Sequence, residues 1–569
     1  MEQPPRADRS SYGSDLEKEE VLSKSSSRKE AGGSSSESGV VGFEPINTAP
    51  LSRKPSWETT AGNSLSRERS NNGWGVDDLD VDGLDEEAGG GNAQSSSSAD
   101  PFEVGWEGGD SDPANPRSMP TWRKWTIIGV TSFGSFCVTN ASAIYTASYG
   151  QMNAEFGSSR IVATLGLSMF VLGIALGPFW SPLAEFYGRR PIYLCSFASF
   201  MLFIIGSAVA QNIQTMITVR FFQGLSGSAF LSVSGGTVGD LFTRDTMLAP
   251  MTIFALAPFI GPSLGPLFGG LINTYTSWRW THYVLLIWSF TLLVCIALFV
   301  PETYHPVLLQ RKAEKLRRET GDDRWRAPIE KTTRSMTKTL GYALLRPFQI
   351  LIMEPMCLIL DVYSAVLLGM LYLFFGAFPL VFTNNYGFNL WQVGLSFMGL
   401  LVAMILAVLS TPIWRRVREL LVEKRRKETG VAKSEPEDQL PPLIFGAPLI
   451  TGGLFWFGFT TYPHIHWIVP IIGSGFFGLG TMLAFSAIFT FLVDAYPRYA
   501  ASALAGNALV RCSFAAAFPL FGIQMYEKLG YQWATGLLAF ITLALMPFPY
   551  IFFCYGKRIR ARSRFATTS

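Results

Sequence analysis

The chain has 569 residues, of which 48% are hydrophobic, 14% aromatic and only 16% charged. A soluble domain carries about 25% charged residues, so this composition excludes an ordinary water-soluble fold. A net charge of +3 is too small to suggest nucleic acid as a partner, and six scattered cysteines with no C-x-x-C pair and no Cys/His cluster give no metal site.

In chain order, residues 1–117 come first. They are rich in Ser, Gly and Glu, include the acidic block 77–91, and cannot bury enough apolar surface to offset the cost of ordering. A disordered tail is expected there, with Ser56 and Ser70 each three residues after an arginine as candidate phosphorylation sites. No apolar signal segment opens the chain.

Apolar runs recur from Trp122 onward and predict membrane-spanning helices at about 125–147, 160–182, 191–210, 215–237, 247–272 and 280–300, then at about 354–383, 391–413, 442–462, 466–490, 500–525 and 532–555. The expected fold is an all-α membrane protein with twelve transmembrane helices in two six-helix halves, 118–302 and 347–556. A basic loop, 303–346, separates the halves, and a short tail follows, 557–569. Arg and Lys crowd that loop, the loop after span eight and the carboxyl end, whereas 383–390 and 461–467 hold none. Positive charge stays on the cytoplasmic side, so both termini and the central loop are placed there.

Four segments carry candidate mechanism. Between spans two and three, Ser181-Pro-Leu-Ala-Glu185-Phe-Tyr-Gly188-Arg189-Arg190 combines a turn glycine with two loop cations and an acid that can pair with them or cap a helix amino end, and Asp240 lies at the end of span four. Arg220-Phe-Phe-Gln-Gly places an arginine inside a span, which is costly and functional by default. Span one offers it no acid; Asp361, embedded in span seven, is the favoured titrating group, with Glu354 about two turns earlier as a further proton-coupling candidate. Gly261, Gly265, Pro266, Gly269 and Gly270 form a small-residue face on span five that suits close helix packing. In span eight Gly394 and Gly399 are five apart and fall on different faces. Candidate cavity aromatics are Tyr145, Tyr283, Tyr363, Tyr372, Phe485 and Phe489, which can stack on flat apolar compounds or attract cations.

These segments resemble signatures of the major facilitator superfamily: the loop resembles G-x-L-A-D-R-x-G-R-R, with Ser181 and Phe186 as departures, and Arg220 to Gly227 resembles R-x-x-Q-G-x-G. The resemblance implies a cytoplasmic gate made of Glu185, Gly188, Arg189, Arg190 and Asp240, and a part for Arg220 in proton coupling. The stretch 261–270 resembles the fifth-span antiporter motif. With Trp278-Arg279-Trp280, Pro301-Glu302-Thr303-Tyr304 and Asp494-Ala-Tyr-Pro, the chain over about 120–556 resembles the fungal twelve-span drug:proton antiporters, the multidrug, polyamine and toxin exporters. The resemblance implies rocker-switch export of small amphipathic or cationic compounds in exchange for protons. It also implies packing of the span-five face on span eight, a monomer, and the plasma membrane in preference to the vacuolar one. It implies no enzyme activity and no cofactor. A nutrient symporter of the same fold and a non-transporting membrane sensor are the alternatives.

Overall fold

The computed structural model describes residues 102–569 apart from 244–245, 332–335, 430–433, 562, 564 and 567–569. The tail expected over 1–101, with Ser56 and Ser70, lies outside the described residues. Among the described residues every regular element is helical, and the one β pairing is an isolated bridge between Glu103 and Arg326.

Among the described residues ten helical runs are long and apolar enough to cross a membrane. They are α1 (Thr121–Phe156), α2 (Arg160–Tyr187), α3 (Arg189–Ala208), α5 (Ala249–Tyr275), α6 (Arg279–Phe299), α7 (Pro355–Tyr386), α8 (Leu390–Glu428), α9 (Pro441–Phe459), α10 (Ile468–Ala495) and the run Ala500–Arg560. Gly530, at φ 77°, breaks that last run into α11 (500–529) and α12 (531–560). The remaining rod, α4 (213–241), is made of Ile213–Gly227 and Ala229–Leu241, which meet at Ser228. Its pieces of 15 and 13 residues are each too short to cross ~30 Å of hydrocarbon alone. Among the described residues, these ten runs, with the last divided at Gly530 and the two-piece α4 added, give twelve helical rods in an all-α membrane protein.

Side chains sort as a bilayer requires. Along α6, Ile287, Phe290 and Leu298 are 64%, 58% and 72% exposed and form one outward stripe, while Leu285, Ser289 and Ile296 are buried. One buried core belongs to the amino-terminal half, with Phe197, Phe200, Phe230 and Leu285 at its centre. The second fills the carboxyl-terminal half and continues into the first at Tyr145, Met152, Leu167 and Trp278. The halves are thus joined on the face opposite the basic loops.

Two boundaries differ from expectation. Residues 102–117, assigned to the tail by composition, are folded: Val104 packs with Ala313 and Ala327 in a small core of their own. Val104 N donates to Arg326 O at 3.0 Å and Arg326 N to Phe102 O at 3.0 Å. Lys312 reaches Gly105 O at 3.1 Å and Asp112 at 3.3 Å. The segment is too polar to fold by itself, and its partner lies about 200 residues away in the loop helix His305–Thr320. The central loop also ends later than residue 346, since a helix Met336–Met353 runs through Pro347 and the break falls at Glu354, before Pro355.

Candidate functional site

The residues expected to form a gate lie where the loop after α2 meets the ends of α4 and α6. Arg189 Nε donates to Asp240 Oδ2 at 3.1 Å, with both residues buried. Glu302, just past α6, accepts the backbone N–H of Arg189 at 2.8 Å and of Arg190 at 3.2 Å. Its carboxylate therefore caps the first turn of α3, where orphan amides and the helix dipole favour an anion. Gly188 sits at φ 97°, and a Cβ there would lie 2.7 Å from the Glu302 carboxyl carbon, so this turn requires glycine. Thr303 Oγ1 and the His305 ring add contacts to Asp240 at 3.4 and 2.9 Å, and the Tyr304 ring lies 4.8 Å from the Arg189 guanidinium. Glu185 is buried near enough to act electrostatically on Arg189. Arg190 turns away and donates to Ala297 O at 2.8 Å. Glu185, Gly188, Arg189 and Asp240 gather at one place, Arg190 joins them only through its backbone N–H, and Glu302 is the contact that sequence reasoning missed; its signal was an acid at a span end.

A second cluster occupies the same face of the other half and was not anticipated. Arg425 grips Asp438 through two bonds of 2.7 Å, and Arg560 grips Glu437 through two of 2.8 Å. Gln439 holds Asp494 at 2.6 Å. The acids sit on the turn Pro436–Gln439 that opens α9, so α8, α10 and α12 are tied to one point.

Arg220 is fully buried in α4, and among the described residues no carboxylate lies against it. Its guanidinium donates to Ala141 O at 2.9 Å, Ser142 O at 3.3 Å and Gln223 Oε1 at 3.3 Å, between the rings of Tyr145 and Phe170, each 4.3 Å away. The regular helix Thr121–Ile144 ends there and passes into a tighter turn, Tyr145–Ser148. Ala141 and Ser142 thus lie among the last carbonyls of that helix, and the cation takes the negative end of its dipole in place of an acid. The rest of the motif follows: Gly224 lets α4 close on α2, because a Cβ there would lie 2.8 Å from the Phe170 carbonyl carbon.

Asp361 is equally buried in α7. Asn507 of α11 donates to Oδ1 at 2.9 Å and Cys357 reaches Oδ2 at 3.4 Å; Asn507 also reaches Ser364 at 2.7 Å. Three turns along α7, the Tyr372 hydroxyl meets that of Ser142 at 3.1 Å. The end of the α1 helix that receives Arg220 therefore touches, across the seam, the helix that holds Asp361. Glu354 is not part of this pair, since the carboxyl-terminal segment occupies it: Tyr496 OH donates at 3.2 Å, Ser563 Oγ at 2.6 Å and Phe565 N at 3.3 Å.

Of the candidate aromatics, Phe485 stacks on Phe259 of the other half at 5.1 Å and lies 6.0 Å from Phe489. Between the two rings and α11 stands Arg511, 4.9 Å from Phe489 and 5.6 Å from Phe485. This second embedded arginine was missed, although its position in Ala508-Leu509-Val510-Arg511-Cys512 is as unusual as that of Arg220. Tyr145 and Tyr372 sit at the seam as described, and the buried Tyr363 hydroxyl has no partner among the described residues. Tyr283 is a correction: it shares the outward stripe of α6 and meets Trp280 edge-on at 5.7 Å, because the helix turns that face to the bilayer.

The glycine face of α5 is also redistributed. The helix stays continuous through Pro258, Pro262 and Pro266. Gly261, Gly265 and Gly269 lie on one face and meet α1, where a Cβ on Gly265 would come within 2.8 Å of Ile144 N. Only Gly270 and Pro266 meet α8: a Cβ on Gly270 would lie 2.8 Å from Leu390 O, and one on Gly394 would lie 2.6 Å from Pro266 O. Gly399 faces Ile471 of α10 instead. The expected packing on span eight thus involves one end of the motif, and its longer part packs on span one. Beside the α5–α8 contact is a cavity of about 260 Å³ lined by Tyr149, Arg160, Phe375, Pro379 and Phe397.

The profile of the Major Facilitator Superfamily matches residues 131–519. The chain is 54% identical over 459 residues to the efflux pump atB of Aspergillus terreus, covering 80% of this chain and 89% of that one. It is 41% identical over 465 residues to the probable drug/proton antiporter YHK8 of Saccharomyces cerevisiae, covering 80% and 89%. It is also 40% identical over 472 residues to the multidrug transporter mdrA of Aspergillus fumigatus, covering 83% and 77%. In fold it is similar to the xylose transporter XylE of E. coli in a partially occluded inward-open state, with a TM-score of 0.53 at 16% identity over 76% of this chain and 98% of that one. The twelve-rod architecture, the gate, the embedded arginine and these relatives lead to one assignment: the chain is a multi-pass membrane protein of the major facilitator superfamily and belongs to its fungal drug-efflux family.

Proposed function

We propose that the protein exports small amphipathic compounds, drugs or toxins, from the cytosol in exchange for protons by alternating access. The observation that carries this reading is the division of the buried charges. Arg220 sits in one half and Asp361 in the other, and the seam contact Ser142–Tyr372 links them. Rocking one half against the other breaks that contact, which couples the surroundings of Asp361 to the side on which the cavity opens. Asp361 is the proton carrier, Asn507 holds its carboxylate, and Arg220 fixes the bend of α1. Phe485, Phe489 and Tyr372 offer ring faces to the cargo, beside Arg511. Buried polar atoms on Asn140, Gln223 and His282 that have no partner among the described residues support a wet or cargo-filled space in the amino-terminal half. The two acid–arginine clusters tie the ends of the helices on the basic face, which we place in the cytosol of a plasma-membrane protein on the strength of its Arg and Lys. About 2.3 kcal/mol per charge per 100 mV is then available to drive extrusion.

The test is accumulation of labelled azoles, dyes and polyamines in cells with and without the gene, with and without a protonophore. Lower accumulation that collapses with the protonophore is expected. Higher accumulation in the presence of the gene would replace this reading with uptake.

A further inference from the structure

Past Arg560 the chain doubles back onto the amino end of α7. Ser563 Oγ donates to Glu354 Oε1 at 2.6 Å, and Phe565 N reaches the same oxygen at 3.3 Å. Ser563 Oγ in turn accepts Ala566 N at 2.8 Å and Phe565 N at 3.2 Å. The Phe565 ring meets Tyr499 edge-on at 5.3 Å, and Phe565 and Ala566 pack on the carboxyl-terminal core. Glu354 is 3% exposed beneath this strap. The strap is therefore held by a serine hydroxyl on a buried acid. The sequence before that serine is Arg558-Ile559-Arg560-Ala561-Arg562-Ser563, with arginines one, three and five residues ahead of it. Such a series suits the acidic substrate cleft of an arginine-directed protein kinase.

We propose that Ser563 is a phosphorylation site for an arginine-directed kinase and that its phosphate releases the strap from Glu354. The proposal rests on the carboxyl end facing the cytosol, where ATP is found. Ser563 Oγ bonds to the γ-phosphorus of ATP as the bond from that phosphorus to the β,γ-bridging oxygen breaks. ADP leaves, and the hydroxyl proton passes to the kinase's base and then to solvent. Ser563 is half-buried and Arg560 is engaged by Glu437, so the kinase takes the strap when it lifts; the exposed Arg558 is the handle available before that. The modified strap does not return. The proton that Ser563 gave to Glu354 is gone, and a phosphate of charge about −1.5 to −2 would have to sit against a buried carboxylate. Release uncovers the start of the helix that carries Asp361 about two turns further on.

The test uses the full-length protein purified in detergent, an arginine-directed kinase with Mg-ATP, phosphopeptide mass spectrometry, and hydrogen exchange over 561–566. Phosphate on Ser563 is expected, with strap exchange faster by about tenfold or more, as fits loss of a charge-assisted hydrogen bond. Ser563→Glu should shift exchange in the same direction, and Glu354→Gln should restore protection in the phosphorylated protein by removing the like charge. Modification of a free 556–569 peptide but not of Ser563 in the protein would overturn the proposal. So would modified protein whose strap exchange is unchanged, which the kinase-treated wild type reveals even if a variant fails to fold. Absence of the Ser563 phosphopeptide from cells, with modification of the purified protein intact, would overturn the cytosolic placement on which the site depends. None of these readouts measures cargo, so the result is separable from the export reading.

Discussion

Arg220 and Asp361 are both charges buried in apolar helices, and the two halves satisfy them by opposite means. Arg220 is clamped by carbonyl oxygens and ring faces, and two of its N–H groups reach the broken end of α1. Asp361 meets one amide and one thiol, both neutral. A guanidinium stays charged at any physiological pH, so it serves as a fixed fitting. A carboxyl whose hydrogen-bond partners are neutral, with the Arg511 cation acting only at a distance, can gain and lose a proton without breaking an ion pair. The fixed charge shapes the path, and the exchangeable one carries the proton.

The strongest way to break this contrast is Asp361→Asn, which keeps shape and hydrogen bonding but cannot titrate. Proton-driven extrusion should fall to background, while cargo exchange between two equal pools in liposomes persists. Loss of both activities would make Asp361 a packing residue. Arg220→Ala should also abolish extrusion with membrane insertion intact, and Arg220→Lys should restore only part of it, because an ammonium cannot fill the slot between Tyr145 and Phe170 while reaching both carbonyls. Full activity in the lysine variant would mean that charge alone is needed.

A smaller effect is expected at the α5–α8 contact. Gly394→Val should cost about 1–3 kcal/mol of overpacking against Pro266. It should shift the protein toward states open on the face opposite the basic loops, read as faster labelling of a cysteine placed in the cavity beside Phe375. The smallest effect concerns the docked segment 102–118. The Ala114 backbone amide, and then Lys312, hold the Asp112 carboxyl below its ordinary value of 3.8. A lowered value means that the contribution is fully present above 3.8 and is lost only as pH falls through the lower folded value. Hydrogen exchange at Gly105 and Ala114, relative to its intrinsic pH-dependent rate, should therefore be flat from neutral pH to about 5. Asp112→Asn should raise it modestly at neutral pH, consistent with a partly solvated pair worth about 1 kcal/mol or less.

The sequence made the helical rods legible because a bilayer demands long apolar runs, and it made Arg220 legible because a cation in such a run stands out. The α5 pattern of Gly261, Gly265 and Gly269 revealed a shared face through its fourfold spacing, but spacing cannot name the neighbour, which proved to be α1. Partners were the harder part. Asn507 lies 146 residues from Asp361, and Arg189 lies 113 from Glu302. No local periodicity joins such pairs. The segment 102–117 misled for the same reason, since its order comes from a distant helix and its own composition says nothing of it. Tyr283 misled because an aromatic in an apolar run carries no mark of which way its helix turns.

The carboxylate that caps α3 belongs to residue 302, yet the helix it caps begins at residue 189. During synthesis that helix is made long before its cap leaves the ribosome, so the loop at Gly188 cannot set until the sixth rod is complete. Anyone wishing to express the two bundles as separate polypeptides should therefore cut after His305: a fragment stopping at the end of the sixth rod would carry all its crossings and still lack the anion that closes its first loop.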